Sequence, residues 1–151
     1  MPRLLFVHHS PSDNTLALRD AAHAAIAAVD DIQLRACDSL SATVDAVMAC
    51  DAILIGTTEN FGGMAGRTKD FFERIYYPCL ESTQALPVAI YIRAGQDGAG
   101  TVQGIERITT GLRWRLIRPP LVLHGQWDPQ FTAQTSELAQ TLAAGVAAEI
   151  F

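Results

Sequence analysis

Three cysteines in 151 residues, with no Cys-x-x-Cys pair among them, leave little material for a disulfide framework or a structural zinc site. Cys37, Cys50 and Cys79 are odd in number and widely separated, and they are expected to be inert thiols. No apolar run approaches the ~20 residues a helix needs to cross a bilayer, so no membrane association is expected. The start, Met1-Pro2-Arg3-Leu4-Leu5-Phe6, lacks the longer apolar core and cleavage site of a signal peptide, and a cytoplasmic location is the expectation. Neither a Pro/Ser-rich linker nor a run of like charge divides the chain, which predicts a single domain over residues 1–151. Basic residues are outnumbered 16 to 11, and the resulting net charge of -5 opposes nucleic-acid binding. His8, His9, His23 and His124 show no metal-ligand spacing, so no metal is expected.

What is present is an alternation of strand and helix patterns. Strands are predicted at 3–8, 31–36, 52–57, 87–94 and 120–124, and helices at 15–29, 41–49, 65–77, 101–116 and 132–148. Leu18, Ala22, Ile26 and Val29 recur at helical spacing, as do Thr68, Phe71, Phe72 and Ile75. Two further stripes are Val102, Ile105, Ile108 and Leu112, then Leu138, Leu142 and Val146. Five strand-helix pairs imply an α/β fold, a doubly wound three-layer sandwich with helices on both faces of a parallel sheet. The runs at Leu4, Ile53 and Val88 suit strands covered on both faces, whereas Ile32, Leu34 and Ala36 alternate with more polar neighbours, as an edge strand would. This fits a five-stranded order 2-1-3-4-5, in which ligands bind beyond the carboxyl ends of strands one and three.

Two unusual loops follow those two strands. The first, His9-Ser10-Pro11-Ser12-Asp13-Asn14-Thr15, opens a helix whose free N–H groups carry partial positive charge, and Ser10, Ser12, Asn14 and Thr15 add neutral donors suited to an oxyanion. Ser and Asn also cap helices and make turns, so taken alone the cluster reads more readily as a helix start, and a second feature is needed. The second loop, Thr58-Glu59-Asn60-Phe61-Gly62-Gly63-Met64, runs into the third helix. A third loop, between Ala94 and Gly100, carries Gly95 and Gly98, residues that let backbone approach a ligand closely.

Ser10-x-Ser12-x-Asn14-Thr15 resembles the phosphate loop of the flavodoxin family, and the 58–72 segment resembles the loop that packs against the isoalloxazine ring in flavodoxins and their NAD(P)H-dependent FMN reductase relatives. The resemblance implies a flavodoxin-like fold and a flavin mononucleotide (FMN) cofactor. It implies cofactor contacts from Ser10, Ser12, Asn14 and Thr15 to phosphate. Thr58, Glu59, Asn60, Phe61, Gly62, Gly63, Met64, Gly95 and Gly98 would surround the ring. Asp13 departs from the family pattern, standing where glycine is common, and must face away from a phosphate. The loops after strands three and four also lack the Trp or Tyr that often sandwiches the ring.

Rival readings fail at particular residues. A phosphoryl-accepting receiver domain would need acidic residues after strand one, an Asp ending strand three and a Lys ending strand five; His8-His9, Thr57-Thr58 and His124 stand there. A small tyrosine phosphatase would need Cys-x5-Arg, and Thr43, Gly56 and Ala85 occupy the arginine position after the three cysteines. The resemblance leaves three functions open: an electron carrier serving a redox partner protein, an oxidoreductase drawing on NADH or NADPH and serving a small-molecule acceptor, and an interaction module that has lost tight FMN binding. Arg67, Lys69, Arg93 and Arg107 are the cations available to a nicotinamide cofactor's phosphates. Ile75, Tyr76, Tyr77 and Phe151 offer apolar surface for a homodimer if they are not buried.

Overall fold

A computed structural model describes all residues, 1–151. The strands are β1 (Arg3–His8), β2 (Gln33–Asp38), β3 (Ala52–Asn60), β4 (Gly63–Met64), β5 (Pro87–Ala94), β6 (Arg115–Leu116) and β7 (Leu121–His124). The helices are α1 (Asp13–Ala27), α2 (Val44–Ala49), α3 (Gly66–Cys79), α4 (Ala99–Leu112) and α5 (Gln130–Ala147). The main sheet is parallel in the order β2-β1-β3-β5, with β6 and β7 sharing the outermost position beside β5. Counting β5 as the fourth strand and the split β6/β7 as the fifth, this is the 2-1-3-4-5 order.

Period-two alternation explains why the central strands read as unbroken apolar runs. Leu5, Val7, Ile53, Ile55, Val88, Ile90 and Ile92 feed a core that also holds Val47, Phe71, Phe72, Ile75 and Ile105, from the helices α2, α3 and α4. Leu4, Phe6, Leu54, Ala89 and Tyr91 feed the opposite core with Leu18, Ile26, Leu138 and Leu142, from α1 and α5. Each strand therefore serves two interiors. Strand β2, with its mostly exposed or half-buried residues, closes one edge.

Two departures from expectation have local causes. The pattern Ile105, Ile108, Leu112 continues in register to Leu116, which favours a helix through 116. The helix instead stops at Leu112, where Arg113 adopts a left-handed conformation (φ 60°) and Trp114 N–H donates to Thr109 O at 3.0 Å. Trp114 is buried and its indole N–H donates to Thr83 Oγ1 at 2.8 Å, so tertiary packing overrides the stripe. Leu116 then pairs with Val88 as strand. Between β6 and β7 stand Pro119 and Pro120, which have no N–H to offer a ladder and are tolerated on an edge.

The second departure is in β3, which runs past 57 to Asn60 and folds back on β4. No helix is long and apolar enough to cross a membrane. The apolar surface expected from Ile75, Tyr76, Tyr77 and Phe151 does not form one patch. Ile75 is fully buried and Tyr76 packs on the α3 side, whereas Phe151 packs on the α1/α5 side. Only Tyr77 is exposed.

Candidate functional site

The first β-to-α turn begins where His9 N–H extends the ladder by donating to Gly56 O at 2.9 Å. Ser12 then caps α1 in extended conformation (φ -137°, ψ 166°). Its hydroxyl accepts from Thr15 N–H at 3.2 Å, and the Thr15 hydroxyl accepts from Ser12 N–H at 2.9 Å, a reciprocal capping box. The Thr15 O–H in turn donates to Ser12 O at 2.9 Å, and the two hydroxyl oxygens lie 2.9 Å apart, so both side chains that sequence offered to a phosphate take part in the helix start. Thr15 is buried, while Ser12, Asp13 and Asn14 are exposed. The backbone N–H groups of Ser10, Asp13 and Asn14 donate to nothing within the protein, leaving three dipoles at the positive end of a 15-residue helix.

The second loop is a tight hairpin. Glu59 pairs with Met64 and Asn60 with Gly63, so Phe61 and Gly62 form a two-residue turn with positive φ at both positions (53° and 78°). That is the sign pattern of a type I′ turn. Gly62 meets it freely; Phe61 is strained there and fully exposed at the tip, which rules out the core as its place. Thr58 is buried and donates from its hydroxyl to Asn60 Oδ1 at 2.9 Å, stiffening the approach to the turn. Below it, the Thr57 and Thr68 hydroxyls share a 2.6 Å hydrogen bond that joins β3 to α3.

The hairpin leans on α4. A Cβ on Gly100 would run into the Gly62 carbonyl, so the tip can sit there only because residue 100 has no side chain. Met64 packs half-buried against the α3/α4 core, and a Cβ on Gly104 would lie 3.1 Å from its Cε; Met64 is a packing residue. The third loop is tied to the second where Gln96 N–H donates to Glu59 Oε1 at 3.2 Å. Gly95 is exposed on this loop, whereas Gly98 is buried in a left-handed conformation (φ 69°) against Val122. Gly98 therefore shapes the loop.

Sequence reasoning missed the clamp beneath this edge. Arg93 donates to Ala94 O at 2.6 Å, Leu123 O at 2.9 Å and Gly125 O at 2.6 Å, with its guanidinium 5.2 Å from the Phe131 ring centroid and 5.9 Å from that of Trp127. No carboxylate lies within ion-pair distance of it. Three of its five N–H donors are thus committed to the fold, whereas Arg67, Lys69 and Arg107 are exposed. An Arg at the carboxyl end of an otherwise apolar strand was the available signal. Gly56 was also missed: a Cβ there would strike the Tyr91 ring, its neighbour on β5.

Both histidines at the end of β1 are held below their ordinary value of 6.5. For His8 the first cause is burial, then Arg19, opposed by Asp38; for His9 it is burial, then Arg67, again opposed by Asp38. The His8 Nδ1 lies 3.3 Å from the Ser10 hydroxyl, in the first loop itself. A hollow of about 310 Å3 lined by Arg3, Leu5, Arg35, Ala46 and Cys50 lies away from these loops.

In doubly wound sheets ligands bind where the strand order reverses, and the loops after β1 and β3 stand at that point. Neither a family model nor a curated protein sequence matches the chain. Solved structures do match in fold. A flavodoxin from the domain Archaea superposes with a TM-score of 0.81 at 16% identity, covering 95% of this chain and 98% of that one. A WrbA-like flavodoxin from Agrobacterium tumefaciens gives 0.77 at 16% identity over 99% of both chains. The apo form of an NADH:FMN oxidoreductase gives 0.76 at 14% identity, covering 95% of this chain and 89% of that one. The protein has the flavodoxin-like fold.

Proposed function

We propose that the protein binds FMN at the carboxyl edge of its sheet and transfers electrons through it. The observation that carries this reading is the set of three unpartnered N–H groups, from Ser10, Asp13 and Asn14, at the first β-to-α turn of a flavodoxin-like fold. Their chemistry suits a phosphate: neutral donors without partners at a helix start, beside the Ser10 hydroxyl. Asp13 is exposed, and a phosphate at these amides requires its carboxylate to turn to solvent. Bound FMN would supply reversible one- and two-electron redox chemistry at this edge.

The protein's share is orientation and field. The Ser10, Asp13 and Asn14 amides hold the phosphate. The hairpin residues Thr58, Glu59, Asn60, Gly62 and Gly63, with Gly95 across the Glu59–Gln96 bond, would border the ring, with the exposed Phe61 available to lie against it. The Glu59 carboxylate, held by Gln96 N–H, disfavours added negative charge on the ring and so lowers its potential. The acceptor of the flavin's electrons would be a redox partner protein or a small molecule. A reductase form would take them from NADH or NADPH with Arg67, Lys69 or Arg107 near the donor's phosphates.

One observation favours a different reading, an interaction module without tight FMN: the Thr15 O–H donates to Ser12 O at 2.9 Å and the Ser12 and Thr15 hydroxyl oxygens lie 2.9 Å apart, so the cap engages both side chains. The readings separate on titrating the purified protein with FMN while following flavin fluorescence and absorption, then adding NADH or NADPH. Binding followed by rapid bleaching indicates a reductase. Binding without bleaching, with reduction by dithionite and reoxidation by a protein acceptor, indicates a carrier. No binding at micromolar FMN removes the flavin reading.

A further inference from the structure

We infer that His8 is a positioning residue that turns the Ser10 hydroxyl toward a bound phosphate, so that this turn takes up a proton when it takes up a dianion. The inference rests on the FMN reading above and names what sets its preference for the phosphorylated flavin. The geometry is a 3.3 Å contact between His8 Nδ1 and Ser10 Oγ, on a loop whose Ser10, Asp13 and Asn14 amides are unpartnered. A serine hydroxyl has one proton to give. While the neutral ring offers a bare Nδ1, that proton is donated to His8 and only lone pairs face the cradle. When solvent delivers a proton to Nδ1, the new N–H donates to Ser10 Oγ, and the Ser10 O–H is released to donate to the phosphate. No other bond is made or broken.

Burial and most of the neighbouring charges disfavour the protonated ring. Its side chain is half-buried with its ring centroid 5.2 Å from that of Phe6. Arg19 and His23 on α1 and His9 in the loop oppose a positive charge there, and Asp38 at the end of β2 favours one. Arg19 is itself paired with Asp20 at 2.9 Å. The Tyr91 hydroxyl, on the same side of the sheet, is buried without a partner and adds no charge. A dianion at the three amides adds the favourable field that Asp38 alone does not supply. By linkage, a rise of one unit in the His8 pKa makes dianion binding about tenfold tighter on the acid side of the transition.

The test is NMR of the His8 ring nitrogens in the wild-type protein, titrated from pH 5 to pH 8 (roughly one and a half units either side of an ordinary histidine) alone, with FMN, with riboflavin and with inorganic phosphate. The expected result is a bare Nδ1 in the free neutral ring, a His8 pKa raised by about one unit or more with FMN or phosphate, and no rise with riboflavin. Ser10→Ala should shrink the rise, and His8→Gln should abolish the pH dependence that wild type shows beyond the phosphate's own titration. A dianion that shifts the Ser10, Asp13 and Asn14 amides while His8 stays put overturns the coupling alone. A free ring already protonated at Nδ1 also overturns it. If neither FMN nor phosphate moves those amides, the site reading falls and the inference with it.

Discussion

Phe61 is the residue whose conformation the fold alone does least to justify. An aromatic side chain at φ 53°, fully exposed on a hairpin tip, gives up about 1–2 kcal/mol against a residue at ease in the left-handed region and gains no burial in return. Phe61→Asn should therefore stabilise the protein by up to ~1 kcal/mol in urea unfolding, because Asn visits that region readily, while weakening FMN binding by removing the ring cover. Unchanged FMN affinity would show that Phe61 does not touch the flavin. Gly100 carries the opposite constraint. Gly100→Ala places a methyl group against the Gly62 carbonyl, and the hairpin must shift, at a cost of about 1–3 kcal/mol. The same variant should loosen FMN through a displaced hairpin, a loss read by flavin fluorescence.

At the scale of elements, two devices fix the loops: the capping box that starts α1 and the Arg93 clamp that joins β5, β7 and the loop after it. Ser12→Ala should cost about 1 kcal/mol, the usual worth of an N-cap, and change FMN affinity little because the amides and Ser10 do the holding. Arg93→Met should cost about 2–4 kcal/mol, since charge-assisted bonds to three carbonyls are lost together, and Arg93→Lys should fall between, keeping the charge but not the fork. Denaturant midpoints of the three variants order them. The strand order was legible because β1, β3 and β5 alternate into two cores and so read as unbroken apolar runs, while β2 does not. The positions of the first two loops followed from that order. What the residues could not reveal locally was tertiary: Leu116 continued the stripe of α4 until the buried Trp114 ended the helix, and β3 overran because Phe61-Gly62 made a turn that no Asn-Gly or Asp-Gly pair announced. Ser12 and Thr15 were ambiguous for a physical reason, since the same hydroxyls serve a helix cap and an oxyanion.

Over the whole molecule, the shifted groups give stability a dome in pH. His8 and His9 have folded values below 6.5, so the unfolded chain binds more protons, and their contribution is full above 6.5 and lost as pH falls through the lowered values. On the alkaline side burial first, then Asp51, pushes the Cys50 thiol up from 9.0 to about 12, and burial raises Cys37, Cys79 and Tyr91 as well. There the folded state binds more protons, so stability is full below 9.0 and lost as pH rises toward 12. Urea midpoints should hold steady across neutral pH and fall on both sides, with His8→Gln flattening the acid limb and Cys50→Ala the alkaline one.

Amide spectra of the nitrogen-labelled protein, recorded as FMN is added, test the account most directly. It predicts that the Ser10, Asp13 and Asn14 resonances move downfield together as each amide takes a charged acceptor, while riboflavin leaves them nearly still. Flavin bound with those three amides unmoved, or no saturable change with FMN at all, would contradict it.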